Sequence, residues 1–250
     1  SGLGGKAFIA PNFLLYESFS IFGVNSNNIE ELLSHTLSFS FLLPLLVIFL
    51  LSKKLTFDKS VYILIAYLII FFVFNFFFKE SKTILGKKNY YFFYTILEYY
   101  SFASLFLLSI PEKRFQYIYY ITSSAFSIFL VLIYSFFKIE RLDSIPIGIE
   151  SIVLMTFIIY FFYFQLKNVT NRSIYEFSSF WIVLGIMIYI GFTFFFNILA
   201  NYVSPQFLNK YYYYTYLGDI FKNILFSIAL LFASKNHHPN VASIPKLDMI

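Results

Sequence analysis

Tyr213 to Ser234 reads YYTYLGDIFKNILFSIALLFAS, an apolar run that nevertheless carries Asp219 and Lys222. About 20 predominantly apolar residues, wound as a helix, cross a hydrocarbon core of about 30 Å, and this run is long enough. A charge inside such a segment costs roughly 2.5–3.5 kcal/mol on insertion scales, so charged side chains there pair up, face a bundle interior or line a pathway. At i,i+3 spacing the two side chains share one face of a helix and partly neutralise each other. The stretch therefore predicts a membrane helix whose inner face borders a polar interior.

Working outward, the whole chain fits that setting. Of 250 residues, 59% are hydrophobic and only 12% charged, with a mean hydropathy of +0.73. Soluble domains carry about 25% charged residues, so the composition excludes an ordinary water-soluble fold. Six further apolar runs precede the first one quoted, placing seven spans at about 37–52, 61–78, 90–110, 115–137, 145–166, 179–201 and 213–234. They are continuous rather than alternating over ~10 residues, which argues for helices and against a β-barrel. The expected fold class is all-α, a polytopic seven-transmembrane-helix bundle. Pro44 falls inside the first run and is expected to kink it.

The domain division follows: a polar N-terminal segment over 1–36, the seven-helix domain over 37–234 and a polar tail over 235–250. Within the first segment, NNIEELLSHTLS at 27–38 has the Asn cap and early Glu30 and Glu31 of a short interfacial helix. The connections between spans are short and polar, with no room for a second domain. Lys and Arg divide nine to seven between the two faces. That excess places the N-terminus outside and the C-terminus in the cytoplasm, most naturally across a bacterial inner membrane. The formal net charge of +5 is scattered through the loops, and no basic block suggests nucleic acid. The chain has no Cys, which excludes disulfides, thiol catalysis and thiolate metal sites. His35 stands alone and His237 and His238 lie in the tail, so no multi-histidine metal site is expected.

The intramembrane polar residues are not scattered. Glu98 lies eight residues into the third run and Glu150 five into the fifth, while Asp219 and Lys222 are early in the seventh. Odd-numbered spans all leave the N-terminal face, so at 1.5 Å per residue these groups sit roughly 8–14 Å below it. Even-numbered spans return to that face, and Asn75 and Asn197 fall near their ends. The expected site is therefore a polar pocket in the leaflet-half next to the N-terminus, lined by Glu98, Glu150, Asn197, Asp219, Lys222 and Asn223. With every group ionised its charge is −2, which suits a small cation, a proton or an amine. A purely structural alternative pairs Asp219 with Lys222, bonds Glu98 to Tyr94 or Tyr99, and lets Glu150 snorkel to the boundary. Ser123 with Ser127, and Gly185 and Gly191, read as close-packing positions. Trp181 reads as an interfacial anchor.

Two likenesses bear on function. A Lys in the seventh span resembles the microbial rhodopsins at Lys222 and Asp219. That family spaces the pair i,i+4, however, and neither its helix-three Arg nor its helix-six Trp-x-x-Tyr-Pro is present here. Retinal is not expected, and no other cofactor is predicted. Four short matches are more telling: Glu98-Tyr99, Glu150-Ser151, Phe180-Trp181 and Asn223-Ile224-Leu225. They are similar to small bacterial seven-transmembrane-helix proteins that accompany two-component signalling genes. That resemblance implies a sensory or regulatory membrane module whose output comes from a protein partner. A proton- or cation-coupled transporter is the alternative, although no internal repeat supports it. A structural subunit of a larger complex would share many of these features. No nucleophile–base set or metal motif favours an enzyme.

Overall fold

The computed structural model describes residues 32–33, 36–37, 39–51, 59–77, 83–136, 144–168, 173–199, 204 and 214–235. The tail from 236 onward, most of the 1–36 segment and most of the short helix expected at 27–38 lie outside the described residues. Among the described residues the chain is all-helical, with no strand. Among the described residues seven α-helices of ten residues or more follow one another: α1 Leu42–Leu51, α2 Lys59–Phe76, α3 Lys87–Ser109, α4 Lys113–Phe136, α5 Ser144–Lys167, α6 Ser178–Leu199 and α7 Tyr214–Lys235. A 3₁₀ turn, Ile174–Glu176, leads into α6. Gly86 precedes α3 at φ 76°, a left-handed conformation that a residue without Cβ adopts freely.

Five of these helices, α3 to α7, are long and apolar enough to cross a membrane. On length and composition the chain is an integral membrane protein. The first two apolar helices are shorter. The helix is interrupted just before Pro44: residues 36–37 and 39–40 are helical, residue 41 is a turn, and α1 resumes at Leu42. Pro44 has no N–H to offer the Ser40 carbonyl four residues back, so the break falls where a kink is expected.

The side-chain pattern is that of a bundle in hydrocarbon. On α4 the buried residues are Phe115, Tyr119, Ser123, Phe126, Leu130 and Tyr134, one face at helical spacing. The opposite face exposes Tyr117, Ile121, Ile128 and Val131. On α5 the sequence Ile145, Ile152 and Ile159 is exposed while Leu154, Phe157, Ile158 and Phe161 are buried. Lipid accepts such apolar outer faces at no cost. Burial is therefore decided by close packing and by where polar groups find partners.

Neighbours along the chain pack together, and α7 closes the circuit by packing on both α6 and α1. Helix α3 occupies the middle, touching α2, α4, α5 and α6. The α6–α7 seam is the tightest approach. A Cβ added at Gly218 would lie 2.8 Å from Phe192 Cβ, and one at Gly185 would lie 3.3 Å from Leu225 Cβ and 3.4 Å from the Lys222 carbonyl. The close-packing role expected of Gly185 holds. Gly191 does not share it, since nothing lies within 4 Å of its added Cβ. Ser123 and Ser127 do more than pack: their hydroxyls meet the hydroxyls of Tyr99 at 3.0 Å and Tyr100 at 2.6 Å, joining α4 to α3. Trp181 donates its indole N–H to the Tyr175 carbonyl at 2.8 Å and stacks on Phe232, tying the 3₁₀ turn and α6 to α7.

Candidate functional site

The close α6–α7 seam sets the geometry of the interior. Without a side chain at Gly218, α7 approaches the Tyr189 turn of α6, and this places Lys222 against the Tyr189 ring. The ammonium Nζ lies 3.9 Å from that ring's centroid. Three more rings surround it: Tyr67 of α2 at 5.3 Å, Phe102 of α3 at 5.7 Å and Phe41, just before α1, at 6.0 Å. A cation within about 6 Å of an aromatic face is attracted by the ring quadrupole, by about 2 kcal/mol or more where water is excluded. Lys222 is 1% exposed, so water is excluded here.

One helical turn back, Asp219 accepts a hydrogen bond from Lys222 Nζ at 2.5 Å. The i,i+3 pairing expected from the sequence is thus formed. Asp219 is 17% exposed, the most open member of the group. Beyond Lys222, toward the centre of the bundle, the Glu98 carboxylate of α3 accepts a hydrogen bond from the Tyr189 hydroxyl. Lys222, Asp219 and Glu150 lie within Glu98's electrostatic reach. Glu150 of α5 has Glu98 as a charged neighbour. Glu98 and Glu150 are both buried. Tyr67 feels all three carboxylates and so occupies the same interior.

Asn223 points the other way along α7. Its amide donates to Ser40 Oγ at 2.8 Å, and Ser40 in turn donates to the Leu37 carbonyl at 2.7 Å. This fastens α7 to the approach of α1. Polar side chains elsewhere in the spans are quieter. Asn75, Thr122 and Thr156 bond carbonyls of their own helices, and none joins the cluster.

Of the six residues expected to line one pocket, Asp219 and Lys222 form an ion pair, Glu98 is buried within their electrostatic reach, and Glu150 is buried with Glu98 as a charged neighbour. Asn223 adjoins Lys222 in sequence but serves the α1 contact. Asn197 belongs to α6, and its side chain lies outside those described. Two structural alternatives are corrected. Tyr99 does not serve Glu98, because its hydroxyl is turned to Ser123. Residues adjacent on a helix diverge by about 100°, so a neighbour in sequence is a poor partner. Nor does Glu150 snorkel, since it is 3% exposed.

The aromatic cage was not foreseen. With 37 Phe and 22 Tyr in the chain, aromatic residues carry little positional information. A usable signal existed in Tyr67 and Tyr189, which fall in mid-span, whereas tyrosines in membrane helices favour the interfaces.

Among the described residues, five buried side-chain oxygens have no hydrogen-bond partner: Tyr67 Oη, Glu98 Oε1, both oxygens of Glu150, and Asn223 Oδ1. Each belongs to this cluster or adjoins it. Buried polar atoms are paired in the great majority of cases, so such a concentration requires an explanation. Among the described residues no group of three or more His, Cys, Asp or Glu side chains has the arrangement to hold a metal ion. No family model, curated protein or solved structure matches the chain.

Proposed function

We propose that the chain is a sensor or receptor-like component of a bacterial inner membrane, crossing it seven times and reading a small cation or a proton at the Glu98–Glu150–Asp219–Lys222 cluster. The observation that carries this reading is the set of unpartnered buried oxygens on Tyr67, Glu98, Glu150 and Asn223 beside one caged ion pair. A cluster serving stability alone would be expected to satisfy its carboxylates, because an unpaired buried charge is strongly destabilising. In this reading α1 and α2 complete the seven spans. Eighteen residues of α2 rise about 27 Å, close to the hydrocarbon thickness, while ten residues of α1 rise only about 15 Å and need the segment before them. The N-terminus faces outward, and the short loops leave signalling output to a protein partner. Neither retinal nor another cofactor enters the reading.

Proton- or cation-coupled transport is the second reading, favoured by the same unpaired carboxylates. Thermal unfolding of the purified protein in detergent at fixed pH, with Na⁺, K⁺ or a small alkylammonium ion added, tests the cation-binding half of the proposal. A ligand site predicts that one of them raises the midpoint, since ligand bound only to the folded state stabilises it. The rise should disappear in Glu98→Gln. A midpoint blind to all three ions and to pH would remove the ligand reading. Proton or sodium flux through liposomes containing the protein would select transport over sensing.

A further inference from the structure

The cage around Lys222 has one wall unlike the others. Tyr67, Phe102 and Tyr189 stand within the long helices α2, α3 and α6. Phe41, whose ring centroid lies 6.0 Å from Lys222 Nζ, stands instead at the turn between helical residues 39–40 and α1. Pro44 denies the Ser40 carbonyl its helical partner, so no continuous helix stiffens this turn. The side-chain bond that fastens it runs from Asn223 Nδ2 to Ser40 Oγ at 2.8 Å, while Ser40 donates to the Leu37 carbonyl at 2.7 Å. Lys222 and Asn223 are consecutive on α7, so the residue beneath Phe41 adjoins the residue that holds Ser40. The fastening is weak on both sides. Asn223 Oδ1 is buried without a partner, a cost that water reaching it would relieve. Helix α1 packs on α7 and, more lightly, on α2, and Phe39, Leu46, Phe49 and Leu50 are exposed. Elements with few buried contacts are those that open below the global unfolding free energy.

We propose that the Ser40–Phe41 turn is a hinged latch on the caged ion pair. The Asn223–Ser40 bond holds Phe41 against Lys222, and its release lets α1 swing away from α7 and opens the pair. Hinges are a few element-terminal residues that absorb the backbone change, and residue 41 lies between two helical stretches. The closed state is the one described, with Phe41 and Lys222 each 1% exposed. In the open state Lys222 and Asp219 meet water through the place that Phe41 vacates. A small cation then has a route to the pair that leaves Tyr67, Phe102 and Tyr189 in position. The latch controls entry to the cluster. That purpose rests on the cluster being the protein's ligand site, whereas the motion itself does not.

Reductive methylation of lysines with formaldehyde and cyanoborohydride, read by peptide mass spectrometry, tests this on the full chain in detergent at one pH. In the wild type Lys222 should react far more slowly than the exposed Lys113. Ser40→Ala should raise the Lys222 rate roughly fivefold, the equivalent of about 1 kcal/mol of lost latch. Ser40→Thr keeps the hydroxyl and should stay at the wild-type rate. Because the chain has no Cys, the pair Ser40→Cys/Asn223→Cys can be closed as a disulfide. Oxidation should suppress methylation of Lys222, and reduction should restore it. Tyr99→Phe removes the α3–α4 bond to Ser123, controls for general loosening and should leave the rate unchanged. A Ser40→Ala rate equal to the wild type, or one matched by Tyr99→Phe, would overturn the latch. Should the cysteine pair not close, the contrast between Ser40→Ala and Ser40→Thr carries the test, and equal rates there refute the proposal. Latch-controlled methylation with an unfolding midpoint blind to added cations would keep the latch and remove the ligand reading. A cation-dependent midpoint with a rate indifferent to Ser40→Ala would do the reverse.

Discussion

Replacing Lys222 by Met keeps the length of the side chain and removes its charge, so it isolates what the ammonium contributes. In the wild type Lys222 is 1% exposed and bonds Asp219 at 2.5 Å, with four aromatic rings between 3.9 and 6.0 Å from its charge. Removing one partner of a buried pair costs about 3–5 kcal/mol, chiefly through the charge left behind. Asp219 retains 17% exposure and can recover some hydration, which points to the lower end. Loss of the cation–π attraction acts in the same direction, by about 2 kcal/mol at most after Met fills the cage. We therefore expect Lys222→Met to lose about 3–4 kcal/mol of unfolding free energy, measured by denaturant titration in mixed micelles. The companion change Asp219→Asn, made in the Lys222→Met background, removes the stranded charge and should restore about half of the loss. The reasoning is refuted if Lys222→Met unfolds at the wild-type midpoint, or if the double variant is as unstable as the single one.

Other consequences can be checked with the same unfolding assay. Gly218→Ala should cost about 1–3 kcal/mol, because its Cβ would stand 2.8 Å from Phe192 Cβ, an atom fixed to the α6 backbone. Gly191→Ala, with nothing within 4 Å of the new atom, should lose nothing, and equal costs at the two glycines would contradict the tight seam. A double-mutant cycle of Tyr99→Phe and Ser123→Ala should return a coupling of about 0.6–1.7 kcal/mol for their 3.0 Å hydrogen bond. Strict additivity would show that this bond does not join α3 to α4. Asn223→Leu should loosen α1 from α7 by removing the bond to Ser40, visible as faster amide exchange in Leu42–Leu51 with α5 unaffected.

Helix positions were readable because membrane insertion imposes a length and a composition, and the apolar runs from 61 onward coincide with α2 to α7 to within a few residues. The first run was less legible. Its 37–52 span contains a turn at 41 just ahead of Pro44, an interruption whose position hydropathy does not register. Burial of Glu98, Glu150 and Lys222 was also readable, since a charged side chain facing lipid is too costly to be common. Partner choice was not. Glu98 bonds Tyr189, ninety-one positions away in the chain, through a close approach that depends on Gly218 and Gly185. The cage around Lys222 likewise draws single rings from α2, α3, α6 and the residue before α1. Such convergence is a property of the packed bundle, and local patterns in a chain so rich in Phe and Tyr do not encode it visibly.

The claim that the carboxylates are kept for function rather than for stability has one direct test. The double variant Glu98→Gln/Glu150→Gln brings the cluster from −2 to neutral while preserving its shape. If the unpartnered carboxylates are a cost borne for binding, its unfolding free energy should equal or exceed that of the wild type, as replacement of buried charges often does. A loss of about 2 kcal/mol or more would mean that the two carboxylates hold the bundle together, and the site would have to be read as structural.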